Sequence, residues 1–400
     1  MVIELSNLTF TEQDDIVPAS GVDQITNTGI ANTLAGRDII TGTAIGGSAT
    51  PGMYNVVYGI YNSNTLNTDD GDDIIMGIFS DPEGNSKDFE QYFGLSNNQG
   101  IIDTGDGNDE IIGIDNTALY TNRVNSFSTG FSSYLGIVNT GNGHDIIMGT
   151  GQFNGVVNYE ATINTGNGND MIAGTGNNLF GIWNVRDTLN TTTFNTGDGN
   201  DRIIGDGFYV GIQNNGVMDT GEGDDIINGT NSITGTADKY NAGITNGVDV
   251  NTIITGNGND IIIGTGSTGI YNMGVINTGN GDDVIIGNGS TGIYNGNVIN
   301  TGNGDDSIIA NGGFDSIGYV SLGNGKDSLK GFGSGEFSGG NGNDTLELTS
   351  GTYTVGIWYT AVTFTKGSSI MIASEFEKLI AGSTMYDFTS LTDGQTILVA

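Results

Sequence analysis

One short unit recurs from near the N-terminus to about residue 350, and few folds can accommodate a repeat of that length. Its cleanest copies read GIYNMGVINTGNGDDVIIGNGST from Gly269 and GIYNGNVINTGNGDDSIIANGG from Gly292, a 23-residue period. Aligning the copies on the last Asp of the turn gives Asp73, Asp109, Asp145, Asp170, Asp201, Asp225, Asp260, Asp283, Asp306, Asp327 and Asp344, with a weaker copy at Asp38. Two residues after each Asp stands an aliphatic side chain, as at Ile75, Ile147, Ile262 and Leu346, whereas the residue between them can be Glu110, Arg202 or Ser307. That alternation is a half-buried strand with its second residue facing a core.

Two further short strands complete the unit. One reads Gly-Ile-x-Asn, as in Gly59-Ile60-Tyr61-Asn62 and Gly181-Ile182-Trp183-Asn184; the other runs through Val275-Ile276-Asn277. Three strands per unit predict an all-β, right-handed parallel β-solenoid, a β-helix or β-roll of about 11 to 12 coils, with neighbouring coils ~4.8 Å apart and a length of ~55 Å. Spacings between successive Asp positions vary from 17 to 36 residues, and the surplus falls mostly between the first and second strands, as in 80–92 and 230–241. The 70 glycines read as turn residues, and 3 prolines are too few for collagen. Residues 1–30 are expected to form an N-terminal cap or arm, 31–350 the repeats, and 351–400 a C-terminal β-rich cap containing Trp358, Tyr359 and Phe364.

The turn carries the chemistry. Gly occupies alternate positions before the Asp, at Gly105 and Gly107, Gly141 and Gly143, Gly166 and Gly168, Gly197 and Gly199, Gly221 and Gly223, Gly256 and Gly258, Gly279 and Gly281, Gly302 and Gly304, and Gly340 and Gly342. Such turns let carbonyl oxygens converge, because Gly reaches positive φ without steric cost. A carboxylate at the end of each turn adds a hard anionic oxygen. Calcium takes six to eight oxygen ligands, so two stacked turns would supply what one cannot. The net charge of −36 fits this reading: about ten Ca2+ would cancel more than half of it, and folding would be coupled to the metal.

The turn resembles the repeats-in-toxin (RTX, hemolysin-type) calcium-binding nonapeptide, which Gly339-Gly340-Asn341-Gly342-Asn343-Asp344-Thr345-Leu346 matches in full. The resemblance implies calcium held by the Asp and Gly positions named above. It also implies export without a cleaved signal, which the end Asp393-Gly-Gln-Thr-Ile-Leu-Val-Ala resembles weakly. Two departures stand out. Thr replaces the first Gly at Thr104, Thr140, Thr165, Thr196, Thr220, Thr255, Thr278 and Thr301, and the opposite edge lacks Asp, so calcium is expected along one edge only.

Other signals carry less. His144 fills a position that elsewhere holds Asn108, Asn169 or Asp282, which reads as a solvated turn residue, and no catalytic constellation surrounds it. The Asp72-Asp73 and Asp282-Asp283 pairs recur in the turn register and read as cation affinity, not acid–base catalysis. G-x-G-x-x-G matches at Gly264 and Gly287 are by-products of the repeat, since no helical period follows. The absence of Cys excludes disulfides and thiolate metal sites. So acidic a chain offers nothing to nucleic acid, and no apolar run approaches a membrane span.

The reading is therefore a secreted, extracellular or cell-surface calcium-binding protein of structural role, not an enzyme, with self-assembly into fibres or layers as a variant. A glycan-binding or polysaccharide-modifying module using Tyr61, Trp183, Tyr271 and Tyr294 is the alternative. Ice binding is disfavoured by Asp106, Asp198 and Glu222 at the turn tips.

Overall fold

The computed structural model describes residues 1–18, 23–46, 56–81, 91–117, 127–187, 191–233, 241–248 and 251–400. The insertions expected within 80–92 and 230–241 lie largely outside them. The chain divides into two units, Met1–Thr220 and Gly221–Ala400, each a parallel β-solenoid.

The coil is plainest in the second unit. Ile261–Thr265, Thr268–Asn272 and Val275–Asn277 form one turn of the coil, and Val284–Asn288, Thr291–Asn295 and Val298–Asn303 the next. Each strand pairs in parallel with its equivalent 23 residues on: Ile262 with Ile285, Ile270 with Ile293, Ile276 with Ile299. These six isoleucines are fully buried and make an aliphatic column, as the alternation requires. The strand following the Asp belongs to one sheet, and the other two strands to a second.

The first unit follows the same plan. Ile111, Ile147, Ile172 and Ile203 lie in successive parallel strands. The stack already includes the N-terminal residues, because Val2–Glu4 pairs in parallel with Gln24–Asn27 and Ile16–Val17 with Ile39–Ile45. As well as the expected one, a second break in the coil is longer than its equivalents: seven positions, of which 188–190 lie outside the described residues, separate Phe180–Val185 from Thr193–Asn195. Either break lies outside the strand ladders, so added length there disturbs no pairing.

Two features hold the coil shape. Asn side chains stack along the second corner, where the amide of Asn27 donates to Asn62 and that of Asn62 to Asn97, both at 2.8 Å. In the second unit Asn246 donates to Asn272 at 2.9 Å and Asn272 to Asn295 at 2.8 Å. Each also reaches a backbone carbonyl of the third strand, so both protons of the buried NH2 group find acceptors. This is the structural Asn ladder expected of a solenoid.

The second feature corrects the reading of glycine as a turn residue. Gly174, Gly264 and Gly287 sit inside strands, each facing a strand glycine of the opposite sheet: Gly181, Gly269 and Gly292. A Cβ at any of the three would lie 2.1 Å from the facing carbonyl oxygen. Gly77 against Gly94 and Gly113 against Gly130 repeat the arrangement at 2.2 Å. The two sheets therefore meet backbone to backbone along the first corner, giving each coil a wedge-shaped section. A repeating Gly with extended φ signals this close approach, and a turn needs it less.

The coil narrows toward the C-terminus. Phe314–Gly325 is one strand in place of two, and its pairing with Gly333–Gly342 shifts register between Asp315 and Tyr319. Ser369–Ser374 adds the last parallel strand on that side. The cap then turns antiparallel: Gly351–Trp358 pairs with both Ala361–Lys366 and Thr396–Val399, and Lys378–Ala381 with Thr384–Asp387. No helix among the described residues is long and apolar enough to cross a membrane.

Candidate metal centre

The twelve Asp on which the repeats align, Asp38 included, lie in the same corner, between the third strand of one coil and the first strand of the next. All of them are buried, at 0 or 1% exposure. Their carboxylates point along the stack. In the first unit the backbone N–H of Asp38 donates to Oδ1 of Asp73 at 2.7 Å, Asp73 to Asp109, Asp109 to Asp145 and Asp145 to Asp170 at 2.8 Å each, and Asp170 to Asp201 at 2.7 Å. In the second unit the series runs from Asp225 to Asp260, Asp283, Asp306, Asp327 and Asp344 at 2.8 to 2.9 Å.

The ladder reaches two residues that the repeat pattern did not flag. Asp15 begins it, donating to Oδ1 of Asp38 at 2.8 Å, and Glu377 ends it, accepting from the N–H of Asp344 through Oε2 at 2.7 Å. Neither sits in a recognisable turn, and spacing alone does not reveal them.

The paired glycines hold the turn open. All eighteen turn glycines named from the sequence have positive φ, from 82° at Gly105 to 156° at Gly342. Gly323 and Gly325, at 107° and 156°, complete the series before Asp327, where Leu322 stands in place of Thr. Stacking needs Gly as much as φ does: a Cβ on Gly143 would lie 1.5 Å from the Gly107 carbonyl oxygen. Successive turns also pair through their backbones. Gly143 N–H donates to Asn167 O at 2.8 Å and Asn167 N–H to Gly141 O at 3.1 Å, with equivalent bonds joining Gly258, Asn280 and Gly256.

The Thr that replaces the first Gly is buried, and at most positions its hydroxyl finds an acceptor. Thr104 Oγ1 donates to Oδ2 of Asp109 at 2.5 Å, and Thr140 Oγ1 to Oδ2 of Asp145 at 2.6 Å. Both also reach the carbonyl of the next Thr, at 3.4 and 3.2 Å, and the hydroxyls of Thr165, Thr255 and Thr278 point to that carbonyl at 3.2 to 3.3 Å. In consequence Oδ2 of Asp38, Asp73, Asp170, Asp260, Asp283, Asp306, Asp327 and Asp344 is buried and meets no donor in hydrogen-bonding geometry.

A buried carboxylate oxygen without a donor is costly, and the acidities register it. Burial, reinforced by neighbouring Asp charges, pushes Asp73, Asp201, Asp260 and Asp327 up to about 6, Asp306 to about 7 and Asp109 to about 8. Asp145 is pushed to about 6, burial again being the chief cause. Asp38, Asp170, Asp283 and Asp344 shift in the same direction for the same reason.

Outside this row the turns carry solvent-facing ladders. Asn142 donates to Asp106 Oδ1 and Asn167 to Asn142 Oδ1, both at 2.6 Å. His144 is exposed and behaves as the Asn residues of its row do, donating its N–H to Asn108 Oδ1 and accepting the Asn169 N–H on Nδ1 at 2.7 Å.

The donor set fits a hard cation in kind. A carboxylate recurs at every coil, its Oδ2 without a donor at the eight positions named, and the turn carbonyls that accept one amide keep a second lone pair. Among the described residues, no three His, Asp or Glu side chains converge. A site here would have to draw on backbone oxygens from adjacent turns. No protein-family model matches the chain, and no curated protein is similar to it.

Proposed function

We propose that this protein is a calcium-binding structural solenoid acting outside the cell or at its surface, with the metal as part of its fold. The row of buried Asp Oδ2 atoms without donors carries the reading. All but Asp38 and Asp73 lie in a turn of two left-handed glycines, in a chain whose net charge is −36. Asp Oδ2, the turn carbonyl oxygens and the Thr hydroxyls would hold the ion. Bound calcium would neutralise charge between stacked carboxylates, so binding energy would become folding energy. The repeat occupies most of the chain, and the described residues hold no cluster of nucleophile, base and orienting group, which favours a structural role over an enzymatic one. Export, and association with a second copy or a surface polysaccharide, belong to the same proposal.

A second reading has its own support. Acidities raised to between about 6 and about 8 would let protons satisfy the same oxygens, making a metal-free, partly protonated ladder. Calorimetric titration of chelator-treated protein with CaCl2 at pH 7.5 separates the two. About ten ions per chain, with a gain in β-structure by circular dichroism, supports calcium; no uptake and an unchanged spectrum supports the proton ladder.

A further inference from the structure

The C-terminal cap carries a cleft that the repeat does not explain. It has a volume of about 300 Å³ and opens on the outer face of the sheet where Gly333–Gly342, Ser369–Ser374, Ala361–Lys366 and Gly351–Trp358 lie side by side. Register defines its layout. Tyr319 is paired with Glu336 and Glu336 with Ile372, forming one wall and part of the floor. Two residues along, Ser374 is paired with Ala361 and Ala361 with Trp358, so small residues on the floor leave the indole standing as the opposite wall.

The hairpin tip adds a third ring. Trp358 and Ala361 close a two-residue turn through Tyr359 and Thr360. Tyr359 has φ 53°, a left-handed conformation that such turns normally assign to Asn or Gly. Tyr359 is 92% exposed, and Trp358 and Tyr319 are 60% and 41% exposed. Neither solvation nor core packing accounts for a tyrosine in strained backbone with its ring in water beside a half-exposed tryptophan. A ligand that stacks on the rings accounts for both.

We infer that this cleft binds a neutral saccharide. The Trp358 and Tyr319 faces supply apolar surface for the C–H side of a pyranose ring. The exposed Glu336 carboxylate accepts hydrogen bonds from its hydroxyls. Acidic sugars are disfavoured by Glu336 and by the overall negative charge. This site is separate from the Asp ladder, and the inference does not depend on calcium binding there.

The test is saturation-transfer NMR and calorimetry on the full chain with maltohexaose, cellohexaose and galactohexaose in turn. One of them is expected to bind, with affinity falling at least tenfold in Trp358→Ala and several-fold in Glu336→Gln. Melting curves for both variants are expected to match the parent, since both side chains are solvent-facing. The inference is overturned if none of the three binds at millimolar concentration, or if binding is unchanged in Trp358→Ala. Binding of tetramethylammonium in place of every sugar would overturn it too, by marking the rings as a cation cage.

Discussion

Gly264→Ala tests the wedge-shaped coil directly. The added Cβ would sit 2.1 Å from the Gly269 oxygen, 2.6 Å from its carbonyl carbon and 2.7 Å from Ile270 Cγ1. Ordinary contact begins near 3.4 Å, so the overlap exceeds 1 Å, and the atoms it meets first are backbone. Rotamer changes cannot relieve it. Gly264 is held in register with Gly229 and Gly287 on either side, so the two sheets must part locally. A gap of ~1 Å forfeits a quarter to a half of the dispersion energy of each contact it opens, here around Ile262 and Ile270. Overpacking of this kind costs about 1 to 3 kcal/mol, and a backbone clash places it near the upper figure. The reduced chain entropy of Ala returns at most about 1 kcal/mol. A net loss of about 2 kcal/mol is expected. Urea denaturation in saturating calcium measures it, and hydrogen exchange at Ile262 and Ile270 shows whether the loosening is local. Gly356→Ala is the control, because its Cβ would meet only the rotatable Thr363 hydroxyl closely, and it should stay within about 0.5 kcal/mol of the parent. If Gly264→Ala proved as stable as Gly356→Ala, the wedge argument would be wrong. The chain contains a natural comparison: Ala310 occupies the Gly287 column, and there the backbone turns away through Gly312 and Gly313 at positive φ.

Three further outcomes are expected. In chelator, the raised acidities of Asp73, Asp109, Asp145, Asp260, Asp306 and Asp327 mean that the folded chain holds protons which the unfolded chain, titrating near 4, releases. Stability is then fully present below about pH 4 and falls as pH rises through 6 to 8, so the urea midpoint at pH 5 should exceed that at pH 8.5; the reverse order refutes the assignment. Thr140→Val removes the hydroxyl that donates to Asp145 Oδ2 and should cost about 1 to 3 kcal/mol by denaturation, with a further rise in the Asp145 pKa visible by carboxyl NMR. Asn272→Leu breaks a buried ladder in which the amide contacts both Asn295 and the Val298 carbonyl, and it should lower the midpoint by a similar amount, whereas His144→Asn should leave it unchanged.

How far the sequence alone carries depends on the range of the interaction. Repeat period, the register of the Asp turns and the inward isoleucines were all legible, because strand alternation and turn geometry are local and every copy restates them. The longer break between Phe180–Val185 and Thr193–Asn195 was not, since only pairing with neighbouring coils shows where one strand ends and the next begins. The same limit hid Asp15 and Glu377, which join the carboxylate row by position in the stack and have no turn motif of their own.

By itself, then, the sequence determined a three-stranded parallel coil with an acidic glycine turn on one edge. Tertiary structure decided what those residues do. The strand glycines are there because two sheets touch, a distance between segments that no local pattern encodes. The hydroxyls of Thr104 and Thr140 reach both their own carboxylate and the next coil's carbonyl, whereas those of Thr165, Thr255 and Thr278 point to the carbonyl. Burial, which only the stacked fold creates, turns a row of ordinary aspartates into carboxylates whose outer oxygens call for a cation or a proton.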